Sequence, residues 1–122
     1  MTVEDFINKA KNQDSRNFFE PYTGDISSVP SGIVELYRKA NPINVEIDTR
    51  KFGSIHFYPL EDLENLKNDY SFMPKDSFIF ASNNGDPIFI ENSRFYITYE
   101  SRFNPEQLSD SFESFLDYIK IK

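Results

Sequence analysis

The stretch "FIFASNNGDPIFIENSRFYITYE", residues 78–100, decides the fold. Three apolar runs rich in aromatic and β-branched residues are divided by two polar clusters, Asn83-Asn84-Gly85-Asp86 and Asn92-Ser93-Arg94. Such runs favour strands, and Asn, Gly and Asp tolerate the positive φ of tight hairpins, so the pattern predicts strand, turn, strand, turn, strand. The same clusters carry charge, which raises the question of whether the tip is a site or only a bend.

Working outward, "NVEIDT" (44–49) and "SIHFY" (54–58) alternate apolar and polar residues on either side of "RKFG", a hairpin signal around Gly53. "PLEDLENLKNDY" (59–70) repeats Leu60, Leu63, Leu66 and Tyr70 at helical spacing, which turns Glu61, Asp62 and Glu64 outward. At the N-terminus, Val3, Phe6, Ile7 and Ala10 form one helical stripe behind Thr2 and Asp5, a capping-box pair. "VPSGIVELYRKANP" (29–42) restarts that period through Ile33, Leu36, Tyr37 and Ala40, with Pro30 in the first turn, Gly32 weakening the helix and Pro42 ending it. Residues 12–28 break the pattern. They read as a loop whose Phe18, Phe19 and Tyr22 fold onto the core or form an aromatic contact segment. "LSDSFESFLDYIKIK" (108–122) places Leu108, Phe112, Phe115, Leu116 and Ile119 along one stripe, with a cap at Ser109 or Asp110. The expectation is a single α+β domain over residues 1–122, its largely antiparallel sheet packed with N-terminal, central and C-terminal helices.

Composition narrows the function. The 122 residues include no cysteine, which removes disulfides, thiolate nucleophiles and cysteine-held metals, and fits a cytoplasmic protein. No apolar run reaches the roughly 18 residues of a membrane helix, and the N-terminus lacks the apolar core of a secretory signal. Thirteen basic against twenty acidic residues give a net charge of −7, which disfavours direct nucleic-acid binding. Between Glu61 and Glu91, seven acids face two bases, Lys67 and Lys75, so most of the excess lies mid-chain. This is either solvated surface or a face for a cationic partner; in the latter case Glu61, Asp62, Glu64, Asp86 and Glu91 are the candidate partner-binding residues.

Catalytic and cofactor patterns are missing. His56, the only histidine, sits in a strand pattern, so a multi-histidine metal site or histidine dyad is excluded; no Gly-x-Ser-x-Gly elbow accompanies it. "GDISSVPSG" has no following Lys-Ser/Thr and is no phosphate loop. The Asn83–Asp86 tip matches a calcium loop only through Glu91, six residues after Gly85, and lacks the leading Asp; turn geometry explains it better. Expected, then, are no metal, no cofactor and no enzymatic activity. Thirteen phenylalanines serve core packing, because a stacking platform for single strands also needs a basic groove.

Four segments, in order, are similar to the SUKH superfamily, which includes the yeast cell-wall synthesis regulator and bacterial immunity proteins. "VPSGIVELYRKAN" resembles the opening helix, "GSIHFYPLEDLENL" the strand followed by a Pro-Leu-x-x-Leu helix, "FIFASNNGDPIFIE" the strand, Gly-Asp turn and strand, and "LSDSFESFLDYI" the closing helix. The likeness runs from about Val29 to Ile119; the tryptophan common near the opening helix is absent. It implies a cytoplasmic antidote that binds a cognate toxin, often a nuclease. The alternative is an intracellular scaffold or regulatory adaptor of the cell-wall-regulator type. Carried over by position, Gly85 and Asp86 match the family's turn and Phe112, Phe115 and Leu116 its closing helix, all with structural roles.

Overall fold

The computed structural model describes residues 1–99 and 103–122, so Glu100, the last residue of the stretch quoted first, lies outside the described residues. Among the described residues, four α-helices and seven strands follow in the order α1 (Val3–Gln13), β1 (Phe18–Glu20), α2 (Val34–Ala40), β2 (Asn41–Thr49), β3 (Gly53–Phe57), α3 (Leu63–Asp69), β4 (Phe78–Asn83), β5 (Asp86–Glu91), β6 (Arg94–Ile97), β7 (Glu106–Ser109) and α4 (Phe112–Ile119). The strands form one antiparallel meander in chain order, which makes the molecule a single α+β domain.

The decisive stretch folds as its turn chemistry dictates. Asn84 (φ 52°) and Gly85 (φ 88°) link β4 to β5, and Asn92 (φ 51°) and Ser93 (φ 65°) link β5 to β6. Two central residues at positive φ match the twist of the flanking strands, which is why two-residue hairpins use them. Gly85 has a further duty, since its carbonyl accepts a hydrogen bond from the Tyr70 hydroxyl at 2.8 Å and so pins the tip to the end of α3. Gly85→Ala is expected to cost about 1 kcal/mol, the usual penalty of a Cβ in left-handed backbone, measured as a shift in urea midpoint at unchanged slope.

Alternation places Val45 and Ile47 of β2, Ile55 and Phe57 of β3, Ile88 and Ile90 of β5, and Phe95 and Ile97 of β6 on one buried face. Helices α1 and α4 cover it: Phe6 meets Phe57 with ring centroids 5.0 Å apart, and Phe115 stacks on Phe95 at 5.6 Å. On the opposite face Phe89 stacks on Tyr96 at 5.4 Å, while α3 packs along β4. The Thr2–Asp5 capping box is formed in both directions, at 3.0 and 3.1 Å.

Several boundaries differ from those expected. The C-terminal helix starts later: Leu108 belongs to β7, and the cap is Ser111, whose hydroxyl accepts from the Ser114 amide at 3.1 Å. The expected caps are spent elsewhere, with Ser109 donating to the Ser111 carbonyl and Asp110 accepting from Gln107. The second helix starts at Val34, because Pro30 closes a tight turn onto Ile33 (3.1 Å) and Ile33 offers no side-chain cap. Pro42 does not end that helix in a loop; β2 begins at Asn41 directly after it. The segment expected to be a loop holds the short edge strand β1; Phe19 and Tyr22 pack on the core, whereas Phe18 stays 50% exposed.

Candidate partner-binding groove

The acidic segment begins with a single 3-10 turn, Leu60–Asp62, which leads into α3. Its placement is fixed by Asn41, a buried polar residue at the junction of α2 and β2. The Asn41 side-chain Oδ1 accepts from the Leu60 amide at 2.9 Å, and its Nδ2 donates to Glu61 Oε1 at 2.6 Å. One Glu61 oxygen is therefore engaged in holding the fold, and the carboxylate is fixed in orientation. Buried Leu63 and Leu66 hold α3 down, leaving Asp62 and Glu64 in solvent.

Facing α3 across a groove of about 290 Å³ stands the segment from Tyr22 to Ser28. The Arg38 guanidinium donates to the carbonyls of Tyr22 (3.0 Å) and Gly24 (3.1 Å), and the Tyr22 amide donates to the Tyr37 carbonyl at 2.9 Å. The Tyr22 ring lies over Gly24 so closely that a Cβ there would stand 2.7 Å from its hydroxyl. Asp25 presents its carboxylate from this wall. Bonds from the Ser27 amide (2.9 Å) and hydroxyl (3.1 Å), with the Arg38 charge adding, hold its carboxyl below the usual carboxylate range. Asp25, Glu61 and Glu64 thus line one groove, together with Lys67 and the apolar residues Leu60, Phe78 and Ile79. Lys67 offsets Glu64 only weakly, from 3.7 Å and in solvent.

The five acids singled out in the sequence do not form one cluster. Glu61 and Glu64 share the groove, and Asp62 projects from the same turn. Asp86 and Glu91 terminate β5 at opposite ends, about 17 Å apart at strand rise. Asp86 is at the hairpin tip beside Gly85, whereas Glu91 ends β5 where β4 begins, since Phe78 pairs with Ile90. Asp25 went unrecognised in the sequence; its only signal was the Asp-x-Ser spacing of a local turn.

A second polar surface crosses the sheet. Register places Glu46, His56 and Ser82 in a row across β2, β3 and β4. The Ser82 hydroxyl is paired with the Tyr58 hydroxyl at 2.8 Å, and the His56 ring packs edge-on to Tyr58 at 4.6 Å. No hydrogen bond joins His56 to either neighbour among the described residues, so the row lacks the linked geometry of a nucleophile, base and orienting acid. Nor, among the described residues, do three His, Asp or Glu side chains converge to hold a metal ion.

No protein-family model, curated protein or solved structure matches this chain. No helix among the described residues is long and apolar enough to cross a membrane. The groove sets two oriented carboxylates, Asp25 and Glu61, over an apolar floor, dimensions and charge that match the stem and head of an arginine or lysine.

Proposed function

We propose that this protein is a non-catalytic binding protein, an immunity protein of the SUKH type that neutralises a basic toxin by direct binding in the cytoplasm. The observation that carries the reading is the groove of Asp25, Glu61 and Glu64, in which hydrogen bonds from the fold orient Asp25 and Glu61 over an apolar floor. An enzyme that acts on nucleic acid needs a cationic surface to hold phosphates, and an anionic groove competes for that surface and accelerates encounter. The order of segments from Val29 to Ile119 supports the family assignment.

Co-expression with the product of the adjacent gene tests this. The expected result is a stoichiometric complex in which the toxin's activity is blocked. Asp62→Lys with Glu64→Lys leaves the Glu61–Asn41 bond untouched and is expected to slow association at low salt on the order of tenfold. Glu113→Lys with Asp117→Lys makes the same change in net charge on α4 and is expected to have a much smaller effect. Equal slowing by both pairs would reduce the groove to a contributor of net charge; a neighbour that neither binds nor is inhibited would remove the proposal.

A further inference from the structure

The stretch from Glu61 to Glu91 contains two bases among seven acids, and the fold brings both bases to one cavity. Lys67, in the last turn of α3, and Lys75, on the segment leading to β4, line a depression of about 450 Å³ that no carboxylate lines. That volume lies in the range of small-molecule clefts. Its apolar surface comes from Met73, Pro74 and Ile79. The wall is built from consecutive tight turns, with the Met73 amide donating to the Tyr70 carbonyl at 3.0 Å and the Ser77 amide to the Pro74 carbonyl at 3.2 Å.

Ser77, also a lining residue, is only 2% exposed, yet its hydroxyl meets no hydrogen-bond partner among the described residues. A buried hydroxyl without a partner is disfavoured, and an acceptor brought beside it would relieve that cost. Lys75 is exposed and forms no ion pair among the described residues, so its ammonium is available to an incoming anion. Tyr70 keeps its hydroxyl on Gly85, and burial pushes that phenol up to about 12, so it contributes a neutral ring edge to the rim.

We propose that this cavity binds a small organic acid: a carboxylate held between Lys67 and Lys75 within reach of Ser77, and an apolar body laid against Met73, Pro74 and Ile79. Charge decides the class. A field inverted relative to the surrounding acidic surface selects an anion, and the apolar lining rejects compact, strongly hydrated ions such as inorganic phosphate. The cavity shares Lys67 and Ile79 with the acidic groove, but the inference does not rest on the toxin-binding reading and is tested separately.

Octanoate is the probe, titrated into the protein and followed by amide and methyl chemical shifts. Saturable shifts confined to residues 67–79 are expected, with acetate, which lacks the chain, and octanol, which lacks the charge, each weaker by at least about tenfold, the value of one charge-assisted contact or of about two buried methylenes. Lys75→Gln is a solvent-exposed change that leaves the fold intact and is expected to weaken octanoate by a similar factor. Ser77→Ala removes the orphaned hydroxyl and is expected to weaken binding severalfold while the melting temperature holds or rises. Octanoate shifts that fail to saturate or spread over the sheet, octanol binding as well as octanoate, or Lys75→Gln binding like wild type would each overturn the assignment.

Discussion

Phe115→Ala is expected to destabilise the domain by about 3–5 kcal/mol, the range for emptying a phenylalanine-sized site in a packed core, and to lower the melting temperature by roughly 10–20 °C. Phe115 is fully buried, and its ring meets Phe80 at 5.7 Å edge-on, Phe95 at 5.6 Å and Phe112 at 6.1 Å, both stacked. Phe80 in turn reaches Phe57, Phe95 and Phe112, so one interlocked group of rings joins α4 to β3, β4 and β6. Collapse into the space left by Phe115 would have to move several rings together, which keeps the cost at the upper part of the range. Phe18→Ala is the control: at 50% exposure its ring contributes little burial, and a change within about 0.5 kcal/mol is expected. Urea titrations of both variants make the comparison. Near-equal losses would mean that the ring group is not the centre of the core.

The strength of this aromatic group is also why so much of the fold was legible. Strands β2 to β6 and the helices α1, α3 and α4 each carry an apolar residue at nearly every position that faces the core, so period and turn chemistry agree. The Asn84-Gly85 and Asn92-Ser93 turns left one register open to the strands they join. Illegible were the two edge strands. Phe18-Phe19-Glu20 and Glu106-Gln107-Leu108-Ser109 are short, and each carries only a hint of alternation, so neither shows a period of its own. Leu108 fits a helical stripe with Phe112 and Phe115 as well as it fits β7; the choice falls to Ser111, which caps better where it stands than Ser109 does.

The candidate site was legible as charge but not as shape. Sequence distance grouped Asp86 and Glu91 with the helix acids, whereas a six-residue strand holds them at opposite ends of the sheet. Conversely, Asp25 lies 36 positions from Glu61 (61 minus 25) and joins the same groove because Arg38 ties its loop against α2. Lys67 and Lys75 were counted only as offsets to the surrounding acids. Their convergence depends on the turns at Tyr70–Met73 and Pro74–Ser77, which carry no periodic signal.

Asn17 carries the second large effect, through the edge of the sheet. Strand β1 covers β2 only from Asn41 to Asn44, which leaves the backbone groups of Glu46 and Asp48 at the edge. Two side-chain amides take the place of the missing strand, and the Lys122 amide adds a bond to the Asp48 carbonyl at 3.1 Å. Asn17 accepts from the Glu46 amide at 2.9 Å and donates to the Glu46 carbonyl at 3.0 Å; Gln13 accepts from the Asp48 amide at 2.8 Å and donates to the Asp48 carbonyl at 2.9 Å. Each amide thus reproduces the paired donor and acceptor of a neighbouring residue, spaced two apart as a ladder requires. Asn17 is buried and also donates to the Ala10 carbonyl at 2.8 Å, closing the end of α1 onto the same edge. Asn17→Leu keeps the side-chain size but strands the part-buried amide and carbonyl of Glu46 and leaves the Ala10 carbonyl only its bond from the Asp14 amide, for an expected loss of about 2–4 kcal/mol. Gln13→Ala should cost less, because its partners reach water. Hydrogen exchange separates this from a simple packing defect: in Asn17→Leu the Glu46 amide is expected to exchange at least about tenfold faster under conditions where the core strands stay protected. An open edge also invites pairing between chains, so the variant is expected to self-associate as concentration rises. A Glu46 amide that remains as protected as in wild type, with stability lost all the same, would show that Asn17 acts through α1 alone and that the edge is sealed by other means.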